Sequence, residues 1–140
     1  MYNIGLTCGV FDLFHIGHLN IFKKCKQNCH YLIVSILTDE YCKYRKGKYP
    51  IINQNDRYSI VESIKYVDKV IYQTHDFQVL DFIRQYNIDI VFKGSDKTKD
   101  PRWNLFYKNE LEKLNKKLMF FDYTEGISTS KIIDKIQNKI

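Results

Sequence analysis

Residues 3–37 begin Asn3-Ile-Gly-Leu-Thr-Cys8, pass through Gly9-Val-Phe-Asp-Leu-Phe-His15-Ile-Gly-His18, and end in Tyr31-Leu-Ile-Val-Ser-Ile-Leu37. The first run is short, apolar and stopped by Gly9, as a buried strand meeting a turn would be. From Ile16 to Asn28 the residues Ile16, Leu19, Phe22 and Cys25 recur on one helical stripe. Tyr31–Leu37 is unbroken and rich in β-branched residues, the pattern of a strand covered on both faces. A strand, a crossover helix and a second strand predict a parallel βαβ unit.

The alternation continues outward from this unit. Asn55–Tyr66 reads as a helix capped near Asn55, Lys69–Tyr72 as a strand, Phe77–Tyr86 as a helix and Ile88–Phe92 as a buried strand. Asp100-Pro101 opens a helix running to about Asn115, Lys117–Phe121 is the last strand, and Ser128–Gln137 the last helix. Only Tyr41–Asn53 interrupts the pattern. Its Lys43, Arg45, Lys46, Gly47, Lys48 and Pro50 read as a basic loop. The expectation is an α/β protein: a Rossmann-like five-stranded parallel sheet with helices on both faces, in one domain over residues 1–140. Ligands of such sheets bind beyond the carboxyl ends of the strands, where strand order reverses.

Composition narrows the class. With 140 residues, 44% hydrophobic and 27% charged, the chain has the balance of a globular protein. Its longest apolar stretches fall far short of the ~20 residues that span a bilayer. Met1-Tyr-Asn-Ile shows no basic segment leading an apolar one, so a cytoplasmic protein is expected. The net charge of +6 would attract nucleic acid or polyphosphate. Yet Arg45, Arg57, Arg84 and Arg102 are the only arginines and alanine is absent, a skew that coding bias in an AT-rich genome also explains. Cys8, Cys25, Cys29 and Cys42 lack the paired short spacings of a structural zinc site, and they read as packing residues.

The chemistry concentrates directly after strands. Gly9 allows a sharp turn, and Gly17 lets the backbone approach a ligand without a Cβ in the way. His15 and His18 lie three apart on the first turn of a helix whose free amides favour an anion. Alone, the pair fits an anion cradle, half a metal site, or no function. Lys46-Gly-Lys48 reads either as a solvated loop or as two mobile cations able to close on a triphosphate. Ser128-Thr-Ser130 offers an N-cap and further donors at a helix start.

Gly9–His18 resembles the signature of the cytidylyltransferase family within the HxGH nucleotidyltransferases, and Thr124-Glu-Gly-Ile-Ser-Thr-Ser-Lys131 resembles that superfamily's second signature. Ser35-Ile-Leu-Thr-Asp-Glu40, Arg57, Tyr66-Val-Asp68 and Asn87-Ile-Asp89 extend the likeness to the branch acting on glycerol 3-phosphate. The resemblance implies the HxGH nucleotidyltransferase fold, a homodimer, and transfer of CMP from CTP to a small phosphorylated alcohol, foremost sn-glycerol 3-phosphate. CDP-glycerol and pyrophosphate would be the products, with Mg²⁺ accompanying CTP. It places His15, His18, Lys46, Arg57 and Ser128 in catalysis. To the nucleotide it assigns Cys8, Gly9, Val10, Phe11, Asp12, Gly17, Lys48, Gly94, Asp96, Thr124, Gly126, Ile127 and Thr129. Lys65, Asp68, Arg102 and Tyr123 are the expected acceptor contacts, and no protein metal ligands are implied.

Two positions depart from the closest family pattern. Tyr123 stands where arginine is usual, and Lys97 where tryptophan is, with Trp103 arriving later. Arg102 and Lys97 are candidates to restore the missing charge. These departures leave phosphocholine, phosphoethanolamine or a sugar phosphate open as acceptor. A basic, aromatic-rich domain binding single-stranded nucleic acid is the remote alternative, and it leaves both signatures unexplained.

Overall fold

A computed structural model describes residues 1–138, with the side chain of Asp96 outside the described set. Five parallel strands, β1 (Tyr2–Gly9), β2 (Cys29–Leu37), β3 (Lys69–Gln73), β4 (Ile90–Gly94) and β5 (Lys117–Phe121), lie in the order β3-β2-β1-β4-β5. The chain steps outward from β1 to β3, then crosses to β4 on the other side of β1. Strand order therefore reverses between β1 and β4.

Helices cover both faces because the strands are apolar on both. On one face, α1 (Ile16–Asn28) and α3 (Gln54–Glu62) set Phe22, Cys25 and Val61 against Leu32, Val34, Ile36, Ile90 and Phe92. On the other, α4 (Gln78–Gln85) and α5 (Lys108–Lys113) bring Val79, Phe82, Ile83 and Leu111 onto Leu6, Ile33 and Val91. Each such large side chain contributes about 1.5–3 kcal/mol when fully buried. All four cysteines are free and buried, Cys8, Cys25 and Cys29 in these layers and Cys42 in a small cluster with Leu37 and Tyr41. The last helix, α6 (Thr129–Gln137), begins beside the ligand end of the sheet. Among the described residues, no helix is long and apolar enough to cross a membrane.

The structure corrects the basic loop. Asp39–Lys46 is a helix, α2. The Thr38 side chain accepts from Tyr41 N, Asp39 and Glu40 occupy the first turn, and Lys43, Arg45 and Lys46 the last, all suited to the helix dipole. Gly47 ends it at φ 76°, a left-handed cap that favours glycine. Capping and charge order specify this helix, while only Tyr41 and Cys42 on it are buried. The expected helix from Asp100 to Asn115 is also broken. A 3-10 turn (Ser95–Lys99) and a π-helical segment (Arg102–Tyr107) precede α5. Burying Trp103 and Tyr107 together, with ring centroids 4.4 Å apart, accompanies the wider turn.

Candidate active site

A cleft of about 520 Å³ opens at the β1/β4 switch point. Pairing between these strands ends at Thr7–Phe92. Beyond it, Cys8 and Gly9 face Lys93 and Gly94 across the cleft floor, where the Lys93 ammonium donates to the Cys8 carbonyl at 2.9 Å. Burial pushes the Cys8 thiol up to about 11, so at neutral pH it is an uncharged wall.

The loop from β1 to α1 turns at Phe11 and Leu13, with φ of 55° and 49°, rather than at Gly9. Asp12 holds this strained loop in place. Its carboxylate accepts from Leu13 N, Ile51 N and Ile52 N at 3.1, 2.8 and 2.9 Å, tying the segment after α2 to the cleft wall. Asp12 thus positions the cleft, with its lone pairs directed at backbone.

His15 and His18 are set by the helix they begin. His15 Nδ1 accepts from Gly17 N at 3.0 Å, and His18 Nδ1 accepts from His15 N at 3.3 Å, a reciprocal capping box. The rings stack with centroids 3.8 Å apart, and Phe11 and Phe14 flank His18. Because each Nδ1 accepts a backbone N–H, the neutral ring carries its proton on Nε2. Both imidazoles are thereby held as Nε2–H donors beside the positive end of α1.

Gly17 has a steric reason. A Cβ there would lie 2.9 Å from His15 Cε1 and 3.0 Å from His15 Nδ1. Alanine would gain about 1 kcal/mol of helix propensity and lose about as much of the cap. Gly17→Ala is therefore expected to melt near wild type while kcat falls roughly 10–10²-fold through the displaced His15 ring. Unchanged kcat in a normally folded variant would refute this account of the glycine.

Burial drives His18 down to about 4, repulsion from His15 adds to the shift, and Asp12 opposes it. Burial lowers His15 as well. Both rings are neutral at pH 7. The unfolded chain binds protons near pH 6.5, the ordinary histidine value, whereas folded His18 resists protonation until about pH 4. Stability is accordingly full above pH 6.5 and falls as the pH drops towards 4, by about 3 kcal/mol from His18. His18→Gln should flatten the urea midpoint between pH 4 and 7; an unaltered slope would contradict the depressed imidazole.

Lys46 and Lys48 line the same cleft as His18. Lys46 ends α2 rather than riding a loop, and Lys48 follows the Gly47 cap. Burial lowers the Lys46 pKa first, with repulsion from Lys97 next. A polyanion entering the cleft would relieve that crowding. On the third side, Thr129 Oγ donates to Asp12 O at 2.9 Å, bringing the start of α6 to the first signature. Ile127 reaches within 3.5 Å of the position a Gly17 Cβ would take.

The cleft gathers Cys8, Gly9, Val10, Phe11, Asp12, His18, Lys46, Lys48, Gly94, Tyr123 and Thr129 of the expected residues. His15, Gly17 and Ile127 adjoin them through the contacts above. Ser128 caps α6, its hydroxyl oxygen accepting from Lys131 N, and Gly126 precedes it in the left-handed region at φ 81°. The Thr124 hydroxyl accepts from Asn20 at 2.9 Å. Asp96 lies outside the described side chains.

Four expected contacts stand elsewhere. Arg57, 1% exposed, donates to Ile52 O, Val10 O, Leu37 O and the Asp39 carboxylate, so it braces the cleft from beneath and acts as a positioning residue. Asp68 sits before β3, at the opposite end of the sheet, accepting from Leu32 N and pairing with Lys26. Exposed Lys65 lies over the Tyr66 ring nearby. Neither is brought to the cleft as an acceptor contact. Arg102 pairs with Asp100 at 3.0 Å, whereas Lys97, its fellow candidate, does line the cleft. Lys93, expected in the loop after the fourth strand, Ser130 from the Ser128–Ser130 donor tract, and Ile133 line it as well, and of these Ile133 carried no sequence signal. Lys93 follows directly on the Ile88–Phe92 run, at the ligand end of its strand, and that position was its signal in the sequence.

Neutral imidazole donors at a helix start, beside a lysine-lined cleft at the switch point of a parallel sheet, define a phosphate-handling α/β enzyme. Residues 6–135 match the model of the family described as Cytidylyltransferase-like, and the chain belongs to that family of nucleotidyltransferases. It is 36% identical over 131 residues to the glycerol-3-phosphate cytidylyltransferase of Bacillus subtilis (strain 168), covering 94% of this chain and 95% of that protein. It is 32% identical over 136 residues to the FAD synthase of Thermococcus sibiricus (strain DSM 12597 / MM 739), covering 94% and 90% respectively. The lipopolysaccharide core biosynthesis protein from Thermoplasma volcanium GSS1 shares the fold, with a TM-score of 0.71 at 24% identity over 89% of this chain and 98% of that one.

Proposed function

We propose that the protein transfers CMP from CTP to sn-glycerol 3-phosphate, releasing pyrophosphate and CDP-glycerol. The observation that carries the reading is the capped imidazole pair at the start of α1, of which His18 shares the cleft lining with Lys46 and Lys48. An acceptor phosphate oxygen attacks the α-phosphorus in line, and the bond from that phosphorus to the bridging oxygen of the β-phosphate breaks. No covalent enzyme intermediate is required. His15 and His18 donate from Nε2 to α-phosphate oxygens as charge builds, and the lysines neutralise the triphosphate. The amide end of α6, with Thr129, holds the departing pyrophosphate. Mg²⁺ enters with CTP as part of the substrate, bound through phosphate and water. Among the described residues no cluster of three metal-ligating side chains is present, and Asp12 is engaged by backbone. The reaction is placed in the cytoplasm and the enzyme as a homodimer.

The test is pyrophosphate release from each of the four nucleoside triphosphates with a panel of phosphorylated alcohols. CTP-specific release with glycerol 3-phosphate is the expected result. The comparable similarity to an FAD synthase supports a second reading. Release with ATP and a flavin phosphate, in place of CTP, would favour it.

A further inference from the structure

A head group bearing a fixed positive charge is recognised by open aromatic faces. Here the protein's own cations lie over Trp103 and Tyr49. The Lys93 ammonium sits 4.6 Å from the centroid of Trp103 while donating to Cys8 O, and the side chain is 9% exposed, so it is fixed in the cleft wall. The ammonium of Lys43 covers the ring of Tyr49 at 5.5 Å. The Phe11 ring is packed edge-on against His18 and Phe22. Lys46, Lys48 and Lys97 add positive charge to the same cleft. Among the described side chains, the carboxylate on it is Asp12, which backbone amides engage.

We propose that Lys93 is a specificity-determining residue for the acceptor: its ammonium, held between the Cys8 carbonyl and the Trp103 face, closes the cleft floor to cationic head groups. The acceptors admitted are phosphorylated alcohols whose other end is neutral or anionic, polyols among them. Phosphocholine and phosphoethanolamine are rejected because their charge meets lysines where it needs an uncovered ring or a carboxylate. This rests on the nucleotidyl-transfer reading above and adds to it the residue that selects the acceptor.

The experiment compares wild type, Lys93→Met and Lys93→Arg at saturating CTP and Mg²⁺, each checked for folding by thermal melt. kcat/KM is measured for glycerol 3-phosphate, a polyol phosphate, phosphocholine and phosphoethanolamine. Wild type should prefer the uncharged-ended acceptors by about 10²-fold or more. Lys93→Met should shrink that ratio at least about tenfold, and Lys93→Arg, which keeps a cation over the ring, should hold it within about threefold. Trp103 is the single tryptophan of the chain, so its emission gives a readout independent of turnover. Phosphocholine should perturb it in Lys93→Met and leave it unchanged in wild type. If Lys93→Met fails to fold, a phosphocholine-dependent change in wild-type emission still overturns the proposal. So does wild-type turnover of phosphocholine matching that of glycerol 3-phosphate, or an unchanged ratio in folded Lys93→Met. Turnover of a polyol phosphate with inert glycerol 3-phosphate and inert phosphocholine would refute the acceptor named above and uphold the role of Lys93.

Discussion

Replacing His18 with alanine is expected to lower kcat by about 10²–10⁴-fold, with His15→Ala in the same range, while apparent CTP affinity changes much less. The geometry accounts for the split. Each Nε2–H is aimed by a backbone amide on the other ring nitrogen, so the donors are in place before charge develops and need no reorganisation. In the proposed reaction, binding of the triphosphate is shared with Lys46, Lys48 and the start of α6, which a single imidazole deletion leaves intact. Loss of the His15 cap costs only about 1 kcal/mol of stability, too little to unfold the chain and mimic the kinetic defect. Melting curves alongside the kinetics keep the two apart. A rise in KM with kcat preserved would show that the imidazoles only bind.

The second large effect is structural. Arg57→Ala is expected to destabilise the fold by about 3–5 kcal/mol, the range for breaking a buried charge pair. Four acceptors lose their donor at once: three carbonyls from the loop after β1, the end of β2 and the segment before α3, and the Asp39 carboxylate. Asp39 is partly exposed and can rehydrate, which moves the value towards the lower end. Arg57→Lys retains charge but not the planar fork, and should recover only part. Urea midpoints with kcat on the folded fraction would check this. Lost turnover with stability retained within about 1 kcal/mol would instead put Arg57 in contact with substrate.

Much of the fold was legible because local patterns agreed with it. The helix Ile16–Asn28 and the strand Lys117–Phe121 are observed at their predicted ends, since the apolar pattern in each matches the period of the element it forms. The first strand extends two residues beyond its apolar run, to Tyr2 and Gly9, because backbone pairing with β2 continues past the buried side chains. Helix α2 escaped the periodicity reading, for its signal lies in the Thr38 cap and the order of its charges. The segment 95–107 escaped it too, since burying Trp103 and Tyr107 overrides the propensity of a plain helix.

The sequence by itself determined the alternating α/β plan, the ligand end of the sheet and the two histidines, because each follows from spacing within one short segment. Only the tertiary structure decided which residues share the cleft. Arg57 looked like a contact and became a brace, because four acceptors from three separate segments converge on it. Asp68 matched a functional pattern and stands at the far end of a strand, because position along β3 relative to the cleft is set by the sheet. Lys93 carried no role of its own in the sequence, only a place at the head of the Lys93–Asp96 loop after the fourth strand, and it lines the cleft. Its neighbours Cys8 and Trp103 lie far from each other in the chain and meet at Lys93 only because β4 lies beside β1.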